Sequence, residues 1–195
     1  MQLICCAVRA CENKVYRTHL INRHISGAIV QELFTHHGIG TMISRAPLQS
    51  LRKAEIEDIG SILQLIQPLE QEGILVKRHR ELLEIEIEYF TLLEHDGIVI
   101  GCAALFPFHK EQVSELACLA IHPDYRNAGY GNVLLKHIEN RTSDMGINKL
   151  FVLTTHATHW FIEHGYIATK LSELPDIKQR LYNYQRRSKV FMKDL

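Results

Sequence analysis

The sequence predicts a mixed α/β (α+β) fold on one central sheet, and three patterns predict it. From Pro47 onward, stretches of helical period alternate with stretches of strand period. Two apolar runs flank Asp96-Gly97, a dipeptide suited to a two-residue hairpin turn. An apolar run ending at Ile121 passes through a Pro123 turn into a glycine-bearing loop and then an amphipathic segment.

Before Pro47, residues 15–21 read as a strand, Ser26 as the cap of a helix over 27–34, and 38–43 as a glycine turn and strand. So small a β-α-β piece leaves one helix face and its strand edges uncovered. Residues 1–46 therefore read as the end of something larger, or as a patch that docks on another subunit. Residues 47–195 form the main domain. There, 51–54 is a short strand, and Ile56, Ile59, Ile62, Leu63 and Ile66 recur at helical spacing as far as Pro68. A charged helix follows over 80–88, then strands 89–94 and 98–106 joined by the Asp96-Gly97 turn. Strand 113–121, helix 132–141, strand 150–153 and helix 158–164 complete the pattern, which has no internal repeat.

Composition narrows the function classes. With 46% apolar residues, the 195-residue chain can bury a substantial core. Basic and acidic residues number 22 each, so no basic field gathers nucleic acid or an anionic membrane, and a small-molecule or protein partner is expected. Five cysteines, without C-x-x-C spacing, argue against a disulfide framework or zinc knuckle and point to a reducing cytoplasm. The apolar start from Leu3 to Val8 is broken by Arg9, too short for a signal peptide or membrane span. Twelve histidines, among them His36-His37 and the His156/His159 pair, invite a metal reading. No H-E-x-x-H or comparable ligand set surrounds them, so no metal is expected.

The informative segment runs from Leu119 to Leu135. Amides of Ala128 to Asn132 at the start of a helix carry partial positive charge, and Gly129 and Gly131 let backbone approach an anion without a Cβ in the way. Arg126 would cover the same anion, so a pyrophosphate suits the loop. No G-x-G-x-x-G with a following acidic residue marks a dinucleotide fold. Instead Arg126-Asn127-Ala128-Gly129-Tyr130-Gly131 resembles the R-x-x-G-x-G acetyl-CoA loop of the GNAT superfamily. The upstream hairpin, the strand near 150–154 and Ala157…Gly165-Tyr166 follow that family's order. The resemblance implies a GNAT acyl-CoA N-acyltransferase fold, a central mixed sheet flanked by helices. It also implies acetyl-CoA as co-substrate, met by Cys118, Leu119, Ala120, Ile121 and residues 126–131.

In such enzymes the amine attacks the thioester directly, so a base must take the ammonium proton. Glu115 lies on the strand leading to the loop, with a parity that can point it at the acceptor; the alternative is a carboxylate on the solvent face of an edge strand. Many members place a tyrosine acid where this chain has Phe161, which leaves Thr154 or Thr155 as hydroxyl candidates. A thiolate can also leave unprotonated, so no acid is strictly required. Cys118 has no His-Asp or His-Asn pair to activate it and reads as a packed thiol.

A closer resemblance narrows the acceptor. Gly73 to Arg78, Glu115 to Ala120 and Arg186-Arg187-Ser188 are similar to the acetyltransferase domain of the bacterial N-acetylglutamate synthase family. That likeness implies transfer to the α-amino group of L-glutamate, the first step of arginine biosynthesis. In it Arg78, Arg186 and Ser188 bind glutamate, Glu115 is the base and Thr154 the acid. Two arginine forks suit a dicarboxylate. The leading piece resembles the last segment of the amino-acid-kinase-like domain of those enzymes, through His19, Gly27-Ala28, Glu32 to Thr35 and Gly38 to Thr41. There the positions of His19, Glu32 and Gly38 help bind L-arginine, an effector. Two other readings stay open: a GNAT enzyme for another amine, and a non-catalytic effector or assembly module. A homo-oligomer, or docking on a kinase-like domain, would cover the leading piece.

Overall fold

A computed structural model describes every residue except Met1, His36 and His37, so the His36-His37 part of the metal reading lies outside the described residues. The chain divides into two compact units, 1–48 and 49–195. No described helix is long and apolar enough to cross a membrane.

The first unit begins with a helix that the expected elements omit, α1 (Gln2–Glu12). Its signal was present: Leu3, Ile4, Ala7, Val8 and Cys11 fall at helical spacing. Ala7 and Cys11, one turn apart, are buried, and the Cys11 thiol donates to the Ile43 carbonyl at 3.3 Å. Strands β1 (Arg17–Leu20) and β2 (Thr41–Ser44) flank α2 (Ala28–Phe34) and pair with each other antiparallel, from Arg17↔Ser44 to Leu20↔Thr41. Ser26 does not cap α2; Gly27 occupies that position with φ 71°, where a residue without Cβ is favoured.

The second unit is a seven-stranded sheet in the order β3-β4-β5-β6-β7-β9-β8. Along the chain, β3 (Gln49–Lys53) precedes α3 (Ile59–Gln71) and α4 (Arg80–Glu86). The hairpin β4 (Phe90–His95) and β5 (Ile98–Phe108) leads into β6 (Val113–Ile121), α5 (Tyr130–Asp144), β7 (Lys149–Thr154) and α6 (Thr158–Glu163). No sequence pattern marked the closing elements β8 (Ile167–Thr169), α7 (Asp176–Arg180) and β9 (Lys189–Asp194). α3 continues through Pro68 instead of ending there. Its buried face, with Ile59, Ile62, Ile66 and Leu69 at helical spacing, holds the segment in place despite the missing amide.

One face of the sheet buries Phe90, Leu92, Cys102, Ala104, Cys118 and Ala120 with α3 and α4. The other buries Leu116, Leu134, Leu135, Ile138, Leu150 and Phe161 with α5 and α6. Two irregularities in β6 make room at the middle of the sheet. Ala104 faces Ala117 but Cys102 faces Ala120, so β6 carries one extra residue opposite Ala103; Cys118, within this bulge, has φ 54°. The parallel pairing of β6 with β7 runs only from Ser114↔Leu150 to Leu116↔Val152, although both strands continue, so they part beyond that point.

Candidate active site

Where β6 and β7 part, a pocket of about 540 Å³ opens between the end of β6, the glycine loop, the first turn of α5 and α6. Leu119 and Ile121 line it from the strand; Arg126, Asn127, Gly129 and Gly131 line it from the loop. Asn127 and Gly129 take φ 63° and 83°, and this alternation turns successive amides toward one concavity. The amides of Ala128 to Gly131 have no backbone acceptor among the described residues, whereas the last amide of the expected set, Asn132 N–H, donates to Gly129 O at 3.0 Å. A Cβ on Gly131 would stand 3.4 Å from Trp160 Cζ2 and narrow the pocket there. Arg126 Nε donates to Ile121 O at 3.1 Å, which fixes the guanidinium beside the loop.

Four residues expected in this site are placed less directly. Cys118 and Ala120 turn their side chains into the α3 core, leaving backbone as their means of contact. Tyr130 packs into the α5 core, its hydroxyl 3.1 Å from His95 Nδ1, and Ala128 is exposed without lining the pocket. His164, which no motif marked, braces two walls: Nε2 is 2.9 Å from Asn132 Oδ1 and Nδ1 is 2.7 Å from Trp160 O.

On the opposite face lies a set of charged groups. Glu115 is 6% exposed and sits on β6 between β5 and β7, so it is not on the solvent face of an edge strand. Its ladder partner Phe106 packs against the α3 core, which puts both on that face. Lys178 of α7 brings Nζ to 2.6 Å from Glu115 Oε2, and its ammonium lies 5.7 and 5.9 Å from the ring centroids of Phe106 and Phe108. The pair is close but not aligned as a hydrogen bond, and Oε2 has no hydrogen-bond partner. Sequence offered no signal for Lys178, which falls in a short charged stretch outside any motif.

Arg78 and Arg186 converge. Arg78, its side chain 14% exposed, donates from Nη1 to Val76 O at 3.4 Å, and its Nε is 3.7 Å from Glu86 Oε2. Arg186 Nη2 donates to Ile74 O, while its Nε is buried without a partner. Burial, and then the neighbouring charge of Arg78, hold the Arg186 guanidinium below its ordinary pKa. The guanidinium groups bond mainly to carbonyls; Glu86 stands 3.7 Å from Arg78 Nε, and Glu70 Oε1 accepts from the Arg78 backbone amide at 2.9 Å, so neither guanidinium is forked by a carboxylate. Ser188 is buried next to β9, and its carbonyl accepts from Tyr182 OH at 2.5 Å.

Thr154 ends β7 at the parting of the strands. Its Oγ1 accepts from Ala157 N–H at 3.1 Å, which leaves its own hydrogen free to donate, whereas Thr155 Oγ1 lies 2.7 Å from His156 Nδ1. Phe161 is packed against Trp160 and Tyr166 and carries no hydroxyl. Cys102 Sγ donates to Cys118 O at 3.6 Å, which spends its one hydrogen on backbone. Among the described residues no three His, Cys, Asp or Glu side chains converge as a metal-binding group.

In the first unit His19, Glu32 and Gly38 do converge. His19 Nδ1 is 2.6 Å from Glu32 Oε1, and Glu32 Oε2 accepts from the amides of Ile39 and Gly40 at 2.7 Å each. His19 first and the two amides next lower the Glu32 pKa to about 2. A Cβ on Gly38 would come 2.7 Å from Glu32 Oε2, so the turn requires glycine there.

Residues 59–166, more than half of the chain, match the acetyltransferase (GNAT) family, and the chain belongs to that family. An amino-acid acetyltransferase of Yersinia enterocolitica is 53% identical over 97% of this chain and 43% of its own length. The crystal structure of N-acetylglutamate synthase from Neisseria gonorrhoeae complexed with coenzyme A and L-arginine superposes with a TM-score of 0.88 and 41% identity, over 100% of this chain and 44% of that one. The same enzyme complexed with coenzyme A and N-acetyl-glutamate gives 0.74 and 42% identity, over 99% of this chain and 46% of that one. The chain thus spans less than half the length of these relatives.

Proposed function

We propose that residues 47–195 form an N-acetyltransferase domain that moves the acetyl group of acetyl-CoA to the α-amino group of L-glutamate. One observation carries this reading: a buried carboxylate and two arginines whose guanidinium groups no carboxylate forks occupy one face of the sheet, at a gap whose other side opens on an anion-binding loop. The residues fit acetyl-CoA. Free amides of Ala128 to Gly131, with Arg126, suit the pyrophosphate, and Leu119 and Ile121 offer an apolar wall for the chain that follows. Bound there, acetyl-CoA supplies an acetyl group activated as a thioester.

The chain's own residues supply the rest. Arg78 and Arg186 take the two carboxylates of the acceptor, with Ser188 beside them. Glu115 receives the ammonium proton and frees the amine to attack. The bulge in β6 shifts its register with β5, and a backbone amide of this extra residue is assigned to the thioester carbonyl. Thr154, whose Oγ1 accepts from Ala157 N–H and so keeps its own hydrogen to give, serves as the donor to the departing sulfur. That the Neisseria enzyme is complexed with coenzyme A and with N-acetyl-glutamate supports this pair of substrates.

Residues 1–46 are proposed as the end of an amino-acid-kinase-like domain, in keeping with the Neisseria complex that contains L-arginine. Its exposed Ile29, Val30, Leu33 and Phe34 suit docking on such a domain or on a second copy. The free cysteines suit a reducing cytoplasm. Release of CoA on adding L-glutamate to the purified chain and acetyl-CoA tests the activity. Glutamine, lacking one carboxylate, should be much slower, since it would leave an arginine unpaired. Equal rates would point to a different amine, and no release with any amine to a binding module.

A further inference from the structure

We propose that Lys178 is a positioning residue that holds the place of the acceptor's ammonium at Glu115 and yields it when the acceptor binds. The inference rests on Glu115 being the group that meets the amine. In the acceptor-free chain the buried carboxylate would be uncompensated without a cation, and Lys178 Nζ supplies one at 2.6 Å. That contact is made to be exchanged. It lacks hydrogen-bond alignment, and Glu115 Oε2 has no hydrogen-bond partner to lose. Lys178 itself is 27% exposed at its side chain and rides on α7, a helix of five residues. The rings of Phe106 and Phe108, already within 6 Å of its ammonium, give it a resting place once displaced.

The exchange follows from charge. Arg78 and Arg186 already place two guanidinium cations on this face, and the acceptor's ammonium cannot share Glu115 with that of Lys178 without repulsion. Nor can the amine reach Glu115 Oε2 to hand over its proton while the Lys178 ammonium stands 2.6 Å from that oxygen. An acceptor whose carboxylates satisfy the arginines therefore replaces Lys178 with its own ammonium, and the base faces the amine only when the right ligand has arrived. A dicarboxylate without an amine fills the arginine sites but has nothing with which to displace Lys178.

Glutamate and glutarate, titrated calorimetrically into the CoA-loaded chain, separate these contributions. Lys178→Met and Lys178→Gln remove the competitor, so each is expected to strengthen glutamate binding about tenfold and to leave glutarate unchanged. Lys178→Arg keeps a cation and should keep the wild-type ratio. If both ligands shift alike in the neutral variants, or neither shifts, Lys178 does not hold the ammonium's place; a Lys178→Arg ratio equal to that of Lys178→Met would overturn it too. Glu115→Gln tests the underlying assignment by itself and is expected to abolish glutamate's advantage over glutarate. Should that advantage survive, Glu115 does not meet the amine, and the role of Lys178 falls with it. Should it vanish while the neutral variants of Lys178 leave the ratio alone, only Lys178 loses its role.

Discussion

Two carboxylates, Glu32 and Glu115, each stand beside a basic side chain and keep only 6% and 8% of their side chains exposed, yet they are built for opposite purposes. Glu32 is closed: His19 meets one oxygen, and two backbone amides of its own unit saturate the other. Glu115 is open: Lys178 is near, but Oε2 has no hydrogen bond. Buried polar groups are ordinarily satisfied, so a saturated carboxylate locks a fold and an unsatisfied one waits for a ligand. Burial alone would not have told them apart.

The sharpest way to break this contrast is to remove the open carboxylate. Glu115→Gln is expected to lower kcat at neutral pH by ~10²–10⁴-fold, the usual contribution of a positioned base. The loss should shrink as pH rises, because a free amine no longer needs a base. A pH–rate series would show this, and an equal loss at every pH would make Glu115 structural.

Next in size is the arginine pair. Arg186→Met should raise the KM for glutamate by about 10–100-fold, the scale of a lost charge-assisted contact, with a smaller change in the KM for acetyl-CoA. Steady-state kinetics in each substrate checks it. If donor and acceptor KM rise together, Arg186 supports the fold of the gap and not the acceptor.

The donor loop should give a smaller effect. Gly129→Val forces a β-branched residue into φ 83°, a strain of about 1–3 kcal/mol, although no atom within 4 Å would clash. The KM for acetyl-CoA should rise about tenfold as the nest of amides is distorted. Unchanged donor kinetics would move the pyrophosphate elsewhere.

These regions differ in how far they could be read from sequence. The donor loop was legible because its chemistry is local: a strand end, a turn, two glycines and a helix start lie within a few residues. The acceptor face depends on long-range convergence. Arg78, Glu115 and Arg186 come from distant stretches, and only resemblance to a family joined them. Lys178 was invisible, since nothing near it marks a residue that will cross to β6. The bulge at Cys118 was equally hidden, because an added residue shifts parity without altering the apolar run. α1 is legible in Leu3, Ile4, Ala7, Val8 and Cys11, a helical stripe too short to span a membrane but long enough to pack on a small sheet.

The smallest effect on activity is expected at the closed carboxylate, where the consequence lies in stability. Glu32 has a folded pKa of about 2 against an ordinary 4.5. A carboxylate depressed on folding stabilises the native state above its unfolded value, and that contribution fades as pH falls toward the folded one. The first unit should therefore lose its Gly38 turn between about pH 4.5 and pH 2. Amide hydrogen exchange, corrected for intrinsic rates, reads this directly at Ile39 and Gly40, whose N–H groups bond to Glu32. Glu32→Gln should weaken their protection and remove its dependence on pH in that window, while kcat and the KM for glutamate stay as in the wild-type chain. The same saturation predicts weak L-arginine binding by this chain alone, because an arriving guanidinium would have to displace donors that Glu32 already holds. Protection that persists at pH 2, or tight arginine binding that depends on Glu32, would show that this carboxylate is as open as Glu115.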